Sequence, residues 1–308
     1  MMQTPLGSMT VNDSHCHFFS HFFLKTVAAQ RFKEGDAVKS ALDILGWEPP
    51  PQDPAELALR WTKELDTHGI SRAGLIASIP GDEDSVAAAV ARCPSRFVGL
   101  FMLDPTRADA VDRVRRGLTE LNLHGICLFP AMHGYSLLDE RLRGVLEVVN
   151  AKPGRTVFVH CGVLTVGFRT KLGLPSPFDL RLGNPLDLTS LAATYRTTNF
   201  IVPHLGSGLL REALMLADAC PNVYLDTSSS NSWVRYLGIT LHDALRQAVS
   251  VAGARRLVFG TDSSFFPRGW QHQIFEDQFS LLVSLGLDRE SIAAIMGGNF
   301  DLLFPRTA

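Results

Sequence analysis

The sequence predicts a single (β/α)8 barrel of the TIM type, and three observations predict it. The chain has 308 residues, the length of one large α/β barrel. Short β-branched apolar runs alternate with amphipathic stretches from end to end, the pattern of βα units around a parallel sheet. Eight such runs can be counted. None is followed by GxGxxG or GxxxxGK[ST], the glycine-rich loop that a doubly wound open sheet tends to carry near its start.

The strands are expected in this order: a short run before Asp13, then 70–79 (ISRAGLIASI), 97–103 (FVGLFML), 125–129 (GICLF), 156–160 (TVFVH), 200–204 (FIVPH), 223–226 (VYLD) and 257–260 (LVFG). Apolar residues at helical spacing fill the intervals at 54–68, 82–92, 107–121, 139–150, 209–219, 242–251 and 271–285. Pro54 stands at the start of the first of these, where its missing N–H costs least. The tail, 291–304, reads as a last helix and a closing segment. Two stretches, 18–54 and 163–185, are too long for ordinary loops. Each follows a strand that ends in histidine, so each is a candidate lid. No composition shift marks a boundary, and residues 1–308 are expected to form one domain.

Composition narrows the function. Lys plus Arg (29) nearly balance Asp plus Glu (31), and no polybasic run occurs, so neither nucleic acid nor an anionic membrane is expected as a partner. No apolar run approaches the ~20 residues of a membrane span, and the N-terminus lacks a charged segment followed by an apolar one. The five cysteines are odd in number and widely spaced, without a CxxC pair, which suits reduced thiols in a cytoplasmic protein.

The chemistry concentrates at strand ends. In Asp13-Ser14-His15-Cys16-His17 the histidines are two apart, so on a strand both point to one face. Neutral imidazoles in that arrangement form a chelating pair for zinc or a similar ion. His160 ends the fifth run, His204 ends the sixth and Asp262 follows the eighth. In a barrel these ends share the face that carries active sites. Singly each has an ordinary explanation, a loop hydrogen bond or a helix cap. Together they point to a site.

As a set, DSHCH, FVHCG, PHLGSG, FGTDSSFF and the terminal IMGGNFDLLF resemble the amidohydrolase superfamily. The resemblance runs from Asp13 to Phe304 and is nearest the branch that holds aminocarboxymuconate semialdehyde decarboxylase, the resorcylate-type decarboxylases and related lactone hydrolases. It implies that His15, His17, His160 and Asp262 bind metal, with Asp262 also handling a proton and His204 acting as base or polariser beside the metal. Dinuclear relatives carry a carbamylated lysine on the fourth strand. Here that strand reads GICLFP, with Cys127 and Phe129 inside, so one divalent ion is expected: zinc, with manganese or iron as alternatives.

The expected activity is hydrolysis of an ester, lactone or amide by metal-activated water. The alternative is non-oxidative decarboxylation of an unsaturated or aromatic acid. A barrel that binds a ligand without turnover is the non-enzymatic reading, disfavoured by the intact His and Asp positions. Arg169 and Lys171 in the loop after His160, Arg211 after His204 and Arg268 after Asp262 are candidate grips for a small carboxylate substrate. Phe18, Phe19, Phe168, Phe265, Phe266 and Trp270 on the same loops read chiefly as lid packing, and Ser228–Ser232 as a turn or a hydrogen-bonding cluster. Asp13 is a candidate to orient an imidazole. A homodimer is compatible with the resemblance.

Overall fold

In the computed structural model, which describes residues 1–306, a hairpin of β1 (Met2–Thr4) and β2 (Gly7–Met9) precedes eight parallel strands. These are β3 (Asn12–Phe18), β4 (Arg72–Ala77), β5 (Phe97–Leu103), β6 (Gly125–Leu128), β7 (Thr156–Val159), β8 (Asn199–Val202), β9 (Val223–Asp226) and β10 (Leu257–Val258). Each pairs with the next in chain order. Beyond β10 the chain turns back onto β3: Ser14 N donates to Phe259 O at 2.9 Å, Asp262 N to His15 O at 2.9 Å and His17 N to Ser263 O at 2.7 Å. These bonds join the last strand to the first, and the (β/α)8 barrel read from the sequence is the fold. Residues 307 and 308 of the expected domain lie outside the described residues.

Parallel strands are covered on both faces, and the sequence meets that demand with continuous apolar runs. Every residue of β4, β5, β6 and β7 is buried. Leu75, Ile126, Leu128 and Val157 face outward and pack with Trp61, Leu65, Val114 and Val145 of the surrounding helices. Leu100, Met102, Cys127, Phe129, Phe158 and Ile201 fill the interior together with Phe300, Leu303 and Phe304. Arg72, which opens β4, donates to Phe304 O at 2.7 Å, and the ring of His124, just before β6, lies 5.0 Å from that of Phe304. The C-terminal helix therefore stoppers the end of the barrel where the strands begin and leaves the opposite mouth open for a site. Gly125 is required where it stands, because a Cβ there would collide with the Thr156 carbonyl of β7.

The helices start where local chemistry starts them. Pro54–Thr67 has Pro54 in its first turn and Asp53 as its cap, with Ala55 N donating to Asp53 Oδ1 at 2.8 Å. Leu241–Ala252 carries a reciprocal capping box of Thr240 and Asp243. Burying an anchor such as Leu57 or Leu65 on the first of these contributes roughly 1.5–3 kcal/mol before side-chain entropy is counted.

Beyond shifts of a few residues at element ends, the boundaries differ from expectation in four places. β3 does not stop before Asp13 but runs through DSHCH, its polar side chains partnered: Asp13 by Thr261 and Trp270, Ser14 and His15 by Asp226, and His17 by Ser78 beside β4. β10 has two residues; after it the chain bonds to β3 irregularly. The tail is divided: Arg289–Ala293, a π-helical turn at Ala294–Gly298, and Asn299–Leu303. The wide turn frees Gly297 O to accept from Asn12 Nδ2 at 3.1 Å. The two long loops contain helices, His21–Arg31 and Ala37–Leu45 in the first and Gly167–Lys171 in the second. Phe23, Leu24, Val27, Ala41, Leu45, Leu172 and Leu174 bury one another across the pair, so the loops share a small core above the barrel mouth. Among the described residues no helix is long and apolar enough to cross a membrane.

Candidate metal centre

His15 and His17 project from β3 into the open mouth, their ring centroids 5.1 Å apart. Asp262 faces them from the turn after β10. Its φ of 61° is left-handed, a conformation that costs a residue with a Cβ but turns the carboxylate back over β3. Asp262 Oδ1 lies 3.2 Å from His17 Nε2 and 3.9 Å from His15 Nε2. One donor atom from each of the three residues falls within 4.8 Å of the others.

The hydrogen bonds behind these atoms decide what the convergence means. Ser78 Oγ donates to Ile76 O at 3.0 Å, so it accepts from His17 Nδ1 at 2.7 Å. The proton of a neutral His17 is then on Nδ1, and its Nε2 lone pair faces the Asp262 oxygen. Burial lowers the His17 pKa, with Asp262 opposing, which disfavours a second proton. A neutral imidazole lone pair opposite a carboxylate oxygen at 3.2 Å is repulsive unless a cation lies between them. For Asp262, burial alone would raise the carboxyl; contact with His17 and the charges of His15 and His204 outweigh it and hold the group far below the usual range. Two imidazoles and an ionised carboxylate of this kind fit a divalent ion of the zinc, manganese or iron type.

Deeper support comes from a residue that sequence reading left unassigned. Asp226, the last residue of β9, is fully buried, with Oδ2 3.2 Å from His15 Nδ1 and 3.1 Å from Ser14 Oγ. Burial would raise its pKa, but His15 lowers it and the group stays ionised. In turn burial would lower His15, and the charges of Asp226 and Asp262 push it up to about 8. An acid at a strand end carried the only signal in the sequence. Asp13, a candidate for this role, touches no imidazole. It accepts from the main-chain nitrogens of His15 (2.9 Å) and Thr261 (3.1 Å) and from Trp270 Nε1 (2.7 Å), tying β3 to the turn that carries Asp262.

His204 and His160 stand beside this group. His204 follows β8 on a kink in which His204 and Leu205 have φ of 54° and 51°. The kink stacks its ring on that of His15 at 5.0 Å. His204 Nδ1 lies 2.9 Å from Ser228 Oγ and 3.2 Å from Ser228 O. Burial lowers its pKa, and the His15 charge adds to the effect. His160, after β7, stacks on Phe129 at 5.4 Å and meets His204 edge-on at 5.3 Å. It lines the same cavity without joining the close group of His15, His17 and Asp262.

The cavity holds about 670 Å³ and runs from the histidines up to the lid. Phe19, Trp47, Phe129, Phe168, Phe178 and Phe265 supply its apolar wall. Three of the four cations singled out in the sequence line it: Arg169, Lys171 and Arg268. Arg268 Nη2 donates to Asp262 O at 3.1 Å and Ser264 Oγ at 2.6 Å, and the guanidinium lies 4.6 Å from the Phe265 ring centre. Arg169 is occupied by Pro175 O and Gln30 Oε1, bonds that hold the lid together. Arg211 is elsewhere: it pairs with Glu212 Oε1 at 2.6 Å, its side chain is 84% exposed, and it does not line the cavity. Of the aromatics, Phe18, Phe266 and Trp270 also lie outside it.

Comparison with known proteins agrees with this architecture. The sequence matches the family model described as amidohydrolase over residues 13–300. A 5-carboxyvanillate decarboxylase from Novosphingobium aromaticivorans, with bound manganese and 3-methoxy-4-hydroxy-5-nitrobenzoic acid, superposes with a TM-score of 0.64 at 14% identity, over 96% of both chains. A protein from Pseudomonas putida described as a 2-pyrone-4,6-dicarboxylic acid hydrolase superposes with a TM-score of 0.61 at 18% identity, over 98% of this chain and 99% of its own. Identities this low speak for the fold. Protein fluG of Emericella nidulans is 27% identical over 169 residues, which are 54% of this chain and 18% of that protein's length.

Proposed function

Because the chain belongs to the amidohydrolase family, we propose that it is a metal-dependent hydrolase of a small carboxylate-bearing ester, lactone or amide, with His15, His17 and Asp262 as the core ligands and His160 completing the set. One observation carries the reading: the Nε2 atoms of His15 and His17 converge on Asp262 Oδ1 while their Nδ1 atoms are engaged by Asp226 and Ser78. A divalent ion held there, most simply a single zinc, would supply Lewis acidity, polarising a carbonyl and acidifying water. The chain's own residues do the rest. His204 takes a proton from water as the new C–O bond forms at the carbonyl carbon and returns it to the leaving oxygen or nitrogen. Arg268 binds the substrate carboxylate with the guanidinium edge that Asp262 O and Ser264 leave free, and Lys171 adds charge from the lid. The aromatic wall excludes bulk water, which strengthens every polar contact inside.

Decarboxylation is the second reading, favoured by the cations set against an aromatic wall, a suitable berth for a planar unsaturated acid. The structural similarity to the 5-carboxyvanillate decarboxylase supports it to the same degree that the similarity to the pyrone hydrolase supports the first. The products separate the two. Zinc- and manganese-loaded protein, assayed against lactones, esters and aromatic acids, should release acid without CO2 under the hydrolytic reading. Stoichiometric CO2 from an aromatic acid would replace it with the second. We further read the chain as one domain working in the cytoplasm, a compartment that suits its five unpaired cysteines.

A further inference from the structure

Ser228 is an unusual junction. Its hydroxyl oxygen lies 3.0 Å from His15 Nδ1 and 2.9 Å from His204 Nδ1, so one side chain touches a ligand imidazole and the imidazole read as the base. Each nitrogen has a second neighbour that can only accept: Asp226 Oδ2 at 3.2 Å from His15 Nδ1, and Ser228 O at 3.2 Å from His204 Nδ1. Carboxylate and carbonyl oxygens carry no proton to give. A proton on each Nδ1 satisfies these acceptors, with Ser228 Oγ accepting from both rings; a Ser228 hydroxyl that instead donated to His204 Nδ1 would leave Ser228 O facing a lone pair. Asp226 is held for this by a main-chain bond from Ser228 N and by Ser14 Oγ. Asp226 and Ser228 sit two residues apart at the mouth end of β9, so a single turn sets both rings.

We propose that Asp226 and Ser228 are positioning residues that lock His15 and His204 in the same Nδ1-protonated tautomer, so that each presents a bare Nε2 to the cavity, one to bind the metal and the other to accept a proton. This rests on the metal-dependent reading above and adds to it a division of labour set from behind the site. A ring flipped or protonated at the other nitrogen would offer an N–H where a lone pair is needed. Neither residue reaches the cavity: both are fully buried, and neither lines it. Their effect passes through the imidazoles.

The test is long-range 1H–15N NMR of histidine-labelled, zinc-loaded protein, with His204→Gln used to assign the His204 signals, alongside zinc affinity measured by chelator competition. In the wild type, His15 and His204 should both show a protonated Nδ1 and an unprotonated or zinc-bound Nε2. Asp226→Ala should weaken zinc binding roughly 10–100-fold. Asp226→Asn, which keeps an acceptor oxygen, should recover part of that loss, as a merely space-filling role would not require. Ser228→Ala removes the acceptor common to both rings and should let part of the His204 population carry its proton on Nε2, while zinc affinity falls less than in Asp226→Ala. A protonated Nε2 on His204 in the wild type overturns the proposal without any variant having to fold. So does an Asp226→Ala protein that folds and binds zinc as tightly as wild type. Failure of the wild type to bind zinc, manganese or iron would instead remove the metal-dependent reading beneath it, while the His204 tautomer remains measurable in the metal-free protein.

Discussion

At the scale of single residues, the site rests on opposed charges and lone pairs, which makes its variants predictable. His17→Ala removes one converging nitrogen and should lower metal occupancy and kcat/KM together, the latter by roughly 100-fold or more, with the folded structure retained by circular dichroism. Arg268→Ala should lower kcat/KM for a carboxylate substrate by about 10–100-fold, whereas Arg211→Ala, outside the cavity, should leave it within a factor of ~2. Asp82 gives a pH prediction away from the metal. Its Oδ2 accepts from Ser20 Oγ at 2.7 Å, its Oδ1 is buried without a partner, and burial raises its pKa to about 6. The folded-state value is above the unfolded one, so the ionised group destabilises the fold above about pH 6, and stability is regained as pH falls toward 4. Asp82→Asn should therefore be more stable than wild type at pH 7–8, by on the order of 1–3 kcal/mol in denaturant titrations, with the advantage gone near pH 4. Within the candidate site, His15, His17, His160, His204 and Asp262 could be singled out in the sequence because uncommon residue types recur at strand ends. Asp226 was not: a carboxylate closing an apolar strand looks the same whether it caps a loop or orients an imidazole, and only the barrel's closure brings residue 226 against residue 15.

At the scale of elements, legibility followed burial. β4 through β7 are apolar on both faces and stand out in the sequence. β3 did not, because its polar residues are buried by partnership: Asp13, Ser14 and His15 meet residues 226 and 261, more than two hundred positions away. β10 is short because closure against β3 uses irregular bonds, which leave Asp262 its left-handed turn. The helices of the lid were hidden for another reason. In His21–Arg31 the apolar residues pack partly on one another and partly over the cavity, so no single stripe at helical spacing results, whereas Ala37–Leu45 carries one through Ala41 and Leu45 inside a stretch expected as a loop. That shared core is testable. Phe23→Ala leaves a void between the two long loops, and large-to-small changes of this kind cost roughly 3–5 kcal/mol in a well-packed core. Hydrogen exchange in residues 21–45 and 167–174 should accelerate in that variant while β4–β7 keep wild-type protection. Equal acceleration in the barrel strands would mean that the loops are integral to the barrel rather than a lid over it.

At the scale of the whole molecule, one end of the barrel is a stopper and the other a reaction vessel. Phe300, Leu303 and Phe304 close the first, and the lid covers the second, so the His–Asp cluster stands at the floor of a walled cavity of about 670 Å³. The fold was the most legible property because it is written in a repeating alternation of strands and helices, whereas substrate choice depends on a few loop side chains whose directions no periodicity encodes. Arg169 and Arg211 are examples: one is spent on the lid and the other on Glu212. On the proposed function, what the molecule does turns on a cation held between His15, His17 and Asp262. The measurement to make is the divalent-metal content per chain of protein purified without chelator or metal-affinity resin, compared with the same protein carrying His17→Ala. One zinc, manganese or iron per wild-type chain and far less in the variant is the expected result. Two ions per wild-type chain, or none even after soaking in each metal, would contradict the single-metal centre described above.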